Sequence, residues 1–189
     1  MSQVGVEVSP GMLLLATPVL MDPNFAETVV LMLDVNADGA LGVVLNRPTG
    51  LAVSEVLRDW GDLVAEPEVL FQGGPVDTDG ALAVALLRPA VDESVGFREV
   101  LGQLGLLDLD TPVELVTGSL GGLRIFAGYS GWGAGQLERE ISQGHWYVVP
   151  AHADDVFRLD ATDLWRDVMR RQPGDLAMHS TRPLDPDLN

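Results

Sequence analysis

Lysine is missing altogether: the 11 basic residues of this 189-residue chain are all arginine, against 28 Asp and Glu. With it go the phosphate-loop lysine, the kinase lysine and the Schiff-base amine. The resulting net charge of −17 argues against a direct grip on nucleic acid, which draws its affinity from clustered cations that release counterions. Cysteine is absent too, which excludes a disulfide framework, a thiolate nucleophile and a cysteine zinc site, and fits a reducing compartment. No apolar run is long enough to span a bilayer, and the first ten residues carry Glu7 without the basic start of a secretory signal. Cytoplasm, without membrane or direct nucleic-acid partners, is the expected setting.

What is present describes a folded, turn-rich domain. A hydrophobic fraction of 47% can fill a sizeable core, and 189 residues suit one domain, residues 1–189. The 21 Gly and 12 Pro stay below the share, about 25–30%, at which low complexity takes over. Hydrophobic period and turn chemistry predict strands over 12–16, 28–33 and 40–45, the last two joined as a hairpin by Asp34-Val35-Asn36-Ala37-Asp38-Gly39. Further strands are expected at 69–72, 81–87, 123–129 and 145–149, and residues 95–107 read as mostly strand. Ser54 is placed to cap a short helix to Trp60, and Thr111-Pro112 to open one ending by Gly121-Gly122. Residues 136–142 and 162–171 complete the helices, the last with Leu164, Trp165, Val168 and Met169 on one stripe. Strands in hairpins outnumber helices, so the expected class is α+β, with a mixed, largely antiparallel sheet and packed helices.

Chemical motifs are weak. Asp34-x-Asn36-x-Asp38-Gly39 matches the first half of a calcium loop, but its twelfth position is Leu45 and its flanks read as strands; a polar hairpin turn accounts for it. Neither Thr117-Gly118-Ser119-Leu120-Gly121 nor Gly128-Tyr129-Ser130-Gly131-Trp132 has both glycines of a nucleophile elbow. His145, His152 and His179 lack the zinc spacing. In Gly131-Trp132-Gly133-Ala134-Gly135 the third glycine comes one residue early for a dinucleotide fingerprint, and Glu138 and Glu140 oppose an anion there. Asp77/Asp79, Asp108/Asp110 and Asp154-Asp155 are carboxylate pairs of the kind that face solvent in so acidic a chain. No metal or cofactor is called for.

Four segments together resemble the YqgE/AlgH family of bacterial proteins. They are Gly11-Met12-Leu13-Leu14-Leu15-Ala16 leading to Asp22-Pro23-x-Phe25; Gly39 through Asn46-Arg47-Pro48; Gly73-Gly74-Pro75-Val76; and Gly128-Tyr129-Ser130-Gly131-Trp132-Gly133-x-Gly135-Gln136-Leu137-Glu138-x-Glu140, followed by Trp146. The chain departs where many members carry histidine, near Asp34 and at Leu86-Leu87, so no role of those histidines transfers. The resemblance implies a single α+β domain. The family name carries an association with transcriptional regulation of alginate synthesis, which for this chain implies action through a protein or small ligand.

Asn46-Arg47, Gly73-Gly74 and Ser130-Gly131-Trp132 each stand at an expected strand end, with Gln136 just beyond. They form the candidate ligand site: glycines admit a close approach, Trp132 offers a flat apolar face, and Arg47 a planar fork for carboxylate or phosphate. The competing view makes them turn residues, with Trp132 a core plug and Arg47 paired to Glu138 or Glu140. The favoured function is a non-catalytic binding or regulatory module; the alternative is an enzyme on a small polar substrate, with Asn46, Arg47, Ser130 and Gln136 as its polar groups near Trp132. The charge yields the first prediction. The purified protein leaves random duplex DNA unretarded at physiological salt; submicromolar, salt-sensitive retardation would contradict it.

Overall fold

The computed structural model describes residues 7–174. The first strands are β1 (Met12–Ala16), β2 (Val29–Asn36) and β3 (Gly39–Val44), an antiparallel meander whose residues are apolar at consecutive positions because both faces are covered. Leu13 and Leu15 point into one core, Leu14 and Ala16 into another, and each is at most 1% exposed. The hairpin turn is the expected one: the Asp38 amide donates to Asn36 Oδ1 at 2.8 Å.

After β4 (Pro48–Ala52) come a one-turn helix, α1 (Val53–Val56), and a 3₁₀ turn at Arg58–Trp60, where one helix to Trp60 is expected from sequence. Then follow β5 (Val69–Gln72), β6 (Val76–Leu87), β7 (Phe97–Leu101) and β8 (Leu104–Leu107). The helix expected after Thr111 is a single 3₁₀ turn, Val113–Leu115. β-Branched Val113, Val116 and Thr117 disfavour helix there, and Gly118 follows at once. The longest strand, β9 (Leu120–Gly133), runs through most of the glycine-rich stretch expected to be a turn. α2 (Gln136–Ser142), β10 (Trp146–Pro150), α3 (Ala153–Phe157) and α4 (Leu164–Arg170) complete the described chain. The stretch beyond 174, His179 included, lies outside the described residues.

All ten strands belong to one sheet, in the order β10-β1-β2-β3-β9-β6-β8-β7, with β5 on β9 and β4 on β5. Only β5 and β9 run parallel, so the α+β, largely antiparallel expectation holds. The sheet curls into a half-barrel. Leu101, at the end of β7, lies against Gly11 just before β1, although five strands separate them in sheet order. α4 closes one face with the expected stripe of Leu164, Trp165, Val168 and Met169, each at most 3% exposed. Trp165 Nε1 donates to the Ala16 carbonyl at 2.9 Å, which fixes that helix to β1. No described helix is long and apolar enough to cross a membrane.

A charged residue lies deep in the core. Arg124 on β9 is 1% exposed, its guanidinium 4.2 Å above the Phe71 ring, and no carboxylate pairs with it among the described residues. Its NH1 donates to the carbonyls of Val156 and Arg158 at the end of α3, at 2.9 and 3.0 Å; NH2 donates to Glu66 at 2.6 Å and to Ala65 at 3.5 Å. Burial pulls its pKa down to about 10, so the group stays charged at neutral pH. A cation suits the carbonyls of a helix C-terminus, and here the same fork also holds the 65–66 loop. Arg124→Met strands those buried carbonyls, each costing about 1–3 kcal/mol, and should lower stability by roughly 3–5 kcal/mol. For a chain of this size, that is a melting-temperature drop of roughly 6–20 °C in calorimetry. Arg124→Lys should recover only part, lacking the planar fork; an unchanged melting temperature for the Met variant would refute the tie.

Candidate functional site

A strap, residues 17–28, joins β1 to β2 and passes over the glycine-rich end of β9. Both ends are hydrogen-bonded: Thr17 Oγ1 donates across the fold to the Gly144 carbonyl at 2.6 Å, and Thr28 Oγ1 donates within the strap to the Phe25 carbonyl at 2.6 Å. Inside it, the amides of Phe25 and Ala26 both donate to the Asp22 carbonyl, which makes a tight turn. Glu27 sits at φ +63°, the left-handed region that non-glycine residues seldom occupy.

Two of the expected site residues hold this strap. Asn46 Oδ1 accepts from the Val29 amide at 3.0 Å, and Asn46 Nδ2 donates to the Glu27 carbonyl at 2.9 Å, so one amide side chain brackets the strap's exit. Arg47 fans its guanidinium over three strap carbonyls, Asn24 at 2.7 Å, Pro23 at 2.9 Å and Ala26 at 3.1 Å. It pairs with neither Glu138 nor Glu140; burial pulls its pKa below the ordinary arginine value, with Glu27 and Asp22 acting against that.

Trp132 lies beneath the strap, 5% exposed. Phe25 reaches down from the strap to both Trp132 and Trp146, at ring-centroid distances of 6.1 and 5.8 Å, and the two indoles meet edge to face at 6.0 Å. Both indole N–H groups converge on Glu140 Oε1, from Trp132 at 3.3 Å and Trp146 at 3.1 Å. Gln136 donates to the other carboxylate oxygen at 3.0 Å and accepts from the Gly133 amide at 3.0 Å, which ties the first turn of α2 to β9. Asn46, Arg47, Trp132 and Gln136 are thus joined in one chain of contacts through Phe25 and Glu140.

Gly73, Gly74 and Ser130 lie where β5 ends beside β9. A Cβ on Gly73 would sit 2.4 Å from the Gly128 carbonyl oxygen, and one on Gly74 2.2 Å from the backbone of Tyr129, so what approaches these glycines is the protein's own main chain. The Ser130 hydroxyl is buried and donates to the Gly73 carbonyl at 3.1 Å. That carbonyl also accepts from the Val44 amide at 2.9 Å.

A second feature was not singled out from sequence. An open groove of about 490 Å³ is lined by His152, Asp154, Asp155, Arg158, Asp160 and Arg171. Asp155, expected to face solvent, is 5% exposed and takes both nitrogens of Arg171, at 2.6 and 2.5 Å, in fork-to-fork geometry. Its Oδ2 also accepts from the His152 amide at 2.8 Å, capping α3. Arg158 pairs with Asp167 at 2.8 Å. The missed signal for Asp155 was its place three residues into a short helix, where a carboxylate caps the free amides. For Arg124 it was a lone arginine on a core-facing position of an apolar strand.

The AlgH-like family model matches residues 13–177. The chain belongs to that family. It is 54% identical to a UPF0301 protein of Streptomyces coelicolor over 95% of this chain and 94% of that one, and 46% identical to a UPF0301 protein of Mycobacterium tuberculosis over 94% and 89%. Among solved structures it resembles the crystal structure of a Corynebacterium diphtheriae protein, with a TM-score of 0.89 and 34% identity over 94% of each chain. It also resembles the solution structure of AlgH from Pseudomonas aeruginosa, with a TM-score of 0.67 and 30% identity over 94% of this chain and 98% of that one.

The bracket on the strap of this AlgH-like protein is testable by a single truncation. Asn46→Ala removes the partners of the Val29 amide and the Glu27 carbonyl, and should cost about 1–3 kcal/mol in denaturant unfolding. Asn46→Asp keeps the acceptor, loses the donor and should fall between. A cost below about 0.5 kcal/mol for Ala would mean that water replaces both bonds without loss.

Proposed function

We propose that this AlgH-like protein is a non-catalytic binding module of the cytoplasm, which regulates through a small-molecule ligand or a protein partner and not by contacting DNA. The observation that carries the proposal is the convergence of Asn46, Arg47 and Trp132 on one strap, with Gln136 linked to Trp132 through Glu140 and Gly73, Gly74 and Ser130 forming the backbone crossing nearby. The groups gathered there are hydrogen-bond donors and flat apolar faces, the equipment of recognition. A nucleophile with its base is a different arrangement: the Ser130 hydroxyl is buried against a carbonyl. The chain's charge of −17 supports action through partners other than nucleic acid. The family association with transcriptional regulation is compatible with such an indirect role.

The experiment pairs binding with turnover. The protein is incubated with pooled bacterial metabolites, its melting is followed, and the pool is analysed by mass spectrometry before and after. A ligand at a hundred times its dissociation constant adds about 2.7 kcal/mol, or roughly 5–11 °C for a chain of this size. The expected result is such a shift with no metabolite consumed, lost in Arg47→Ala with most of the stability kept; Trp132→Ala, which empties a buried position, should lose the shift and also cost about 3–5 kcal/mol of stability. Consumption of a metabolite that stops in Arg47→Ala would instead establish the alternative, an enzyme on a small polar substrate near Asn46, Arg47 and Trp132.

A further inference from the structure

The strap has the features of a built-in occupant of the site it covers. Its turn offers a fixed set of groups: three carbonyls to the Arg47 fork and one phenyl ring to the Trp132 and Trp146 faces. Neutral carbonyls are the weaker partners of a guanidinium; a carboxylate would take the same donors in charge-assisted bonds about twice as strong. The two carboxylates whose charge acts on Arg47, Asp22 and Glu27, both belong to the strap and would leave with it. No carboxylate lies within ion-pair distance of Arg47 among the described residues. Lifting the strap would therefore uncover a half-buried cation and the two indoles that Phe25 contacts. Glu140, the nearby acid, stays engaged at the indole N–H edges.

The strap is also equipped to move as a unit. Its outer side exposes Val19 and Met21, each 65% exposed, so only one of its faces is anchored by packing. Glu27, in the left-handed region, marks a hinge at its exit. The strands on either side are held by ladder hydrogen bonds to each other and to β10 and β3, and need not move.

We infer that residues 20–27 form a displaceable cap, and that the site beneath takes a small aromatic carboxylic acid, its ring replacing that of Phe25 and its carboxylate replacing the three carbonyls on Arg47. The space vacated is that of one phenyl side chain, which fits a single-ring acid. This inference rests on the binding-module reading and sharpens it to one ligand class and one gate.

The test uses the full chain with phenylacetate as probe and phenylacetamide as its neutral counterpart. Phe25→Ala removes the internal ring and loosens the cap. It should bind phenylacetate about tenfold or more tightly than phenylacetamide by calorimetric titration, and Phe25→Ala/Arg47→Gln should show no such preference. Wild-type protein should bind phenylacetate more weakly than Phe25→Ala, because its competent state is only a fraction of the population. Should Phe25→Ala fail to fold, hydrogen exchange in the wild type decides. Saturating phenylacetate should speed exchange of the Leu20 and Thr28 amides, whose bonds to the Thr17 and Phe25 carbonyls cross the two ends of the cap, and leave β1 and β2 protected. Equal binding of acid and amide, a preference that survives loss of Arg47, or cap amides unmoved by phenylacetate would overturn the inference. A screened metabolite that needs Arg47 yet carries no carboxylate would overturn it while leaving the binding-module reading intact.

Discussion

Every backbone amide and carbonyl of a buried strand must find a partner, and in this fold the demand falls hardest on β9. One edge of β9 pairs with β6 along most of its length; the other takes β5 in parallel at Phe126 and Ala127, then β3 antiparallel from Ser130 onward. Where the partner changes from β5 to β3, the chains pack with no side chain between. Gly73 and Gly74 supply that, against the backbone at Gly128 and Tyr129. The Gly73 carbonyl takes the Val44 amide and the Ser130 hydroxyl, so the crossing is hydrogen-bonded on both sides.

From that junction the rest follows. Because β3 leaves the shared edge there, the sheet can curl until Leu101 meets Gly11, and its inner face closes over a core capped by α4. Arg124, two residues before Phe126 on the same strand, anchors the loop at 65–66 and the end of α3 across that core. On the other face the continuation of β9 carries Trp132 outward under the strap, and Glu140 links it to Trp146 of β10. The candidate site and the core are thus consequences of one strand's pairing, which explains why the glycines in it read as site and scaffold together.

The strap depends on this scaffold for its shape. A segment of twelve residues, 17–28, has little regular structure of its own, and its conformation is set by side chains that come from elsewhere: Asn46 and Arg47 from the end of β3, Trp132 from β9, Trp146 from β10. Such a segment is held by contacts that a ligand can imitate, unlike a helix, whose hydrogen bonds lie within itself. Binding there and stability there draw on the same donors, so Arg47 and Trp132 variants must be read with both effects in view.

The amino-acid sequence by itself determined the class and most of the strands. The 34–39 turn is local chemistry, since Asn36 folds onto the Asp38 amide, and the stripe of α4 is set by helical period alone. The glycine, Asn-Arg-Pro and Trp motifs marked the family, and charge set the kind of partner to expect. Tertiary structure decided what no local rule contains. Pro48–Ala52, with proline and Gly50, looks like a turn and becomes a strand only because Val69 and Phe71 pair with it. The burial of Arg124, the Asp155–Arg171 pair and the three carbonyls on Arg47 bring together residues 16 to 59 positions apart. Long side chains find such partners through the fold and not through sequence neighbours, so their roles stay hidden until the backbone has set the distances.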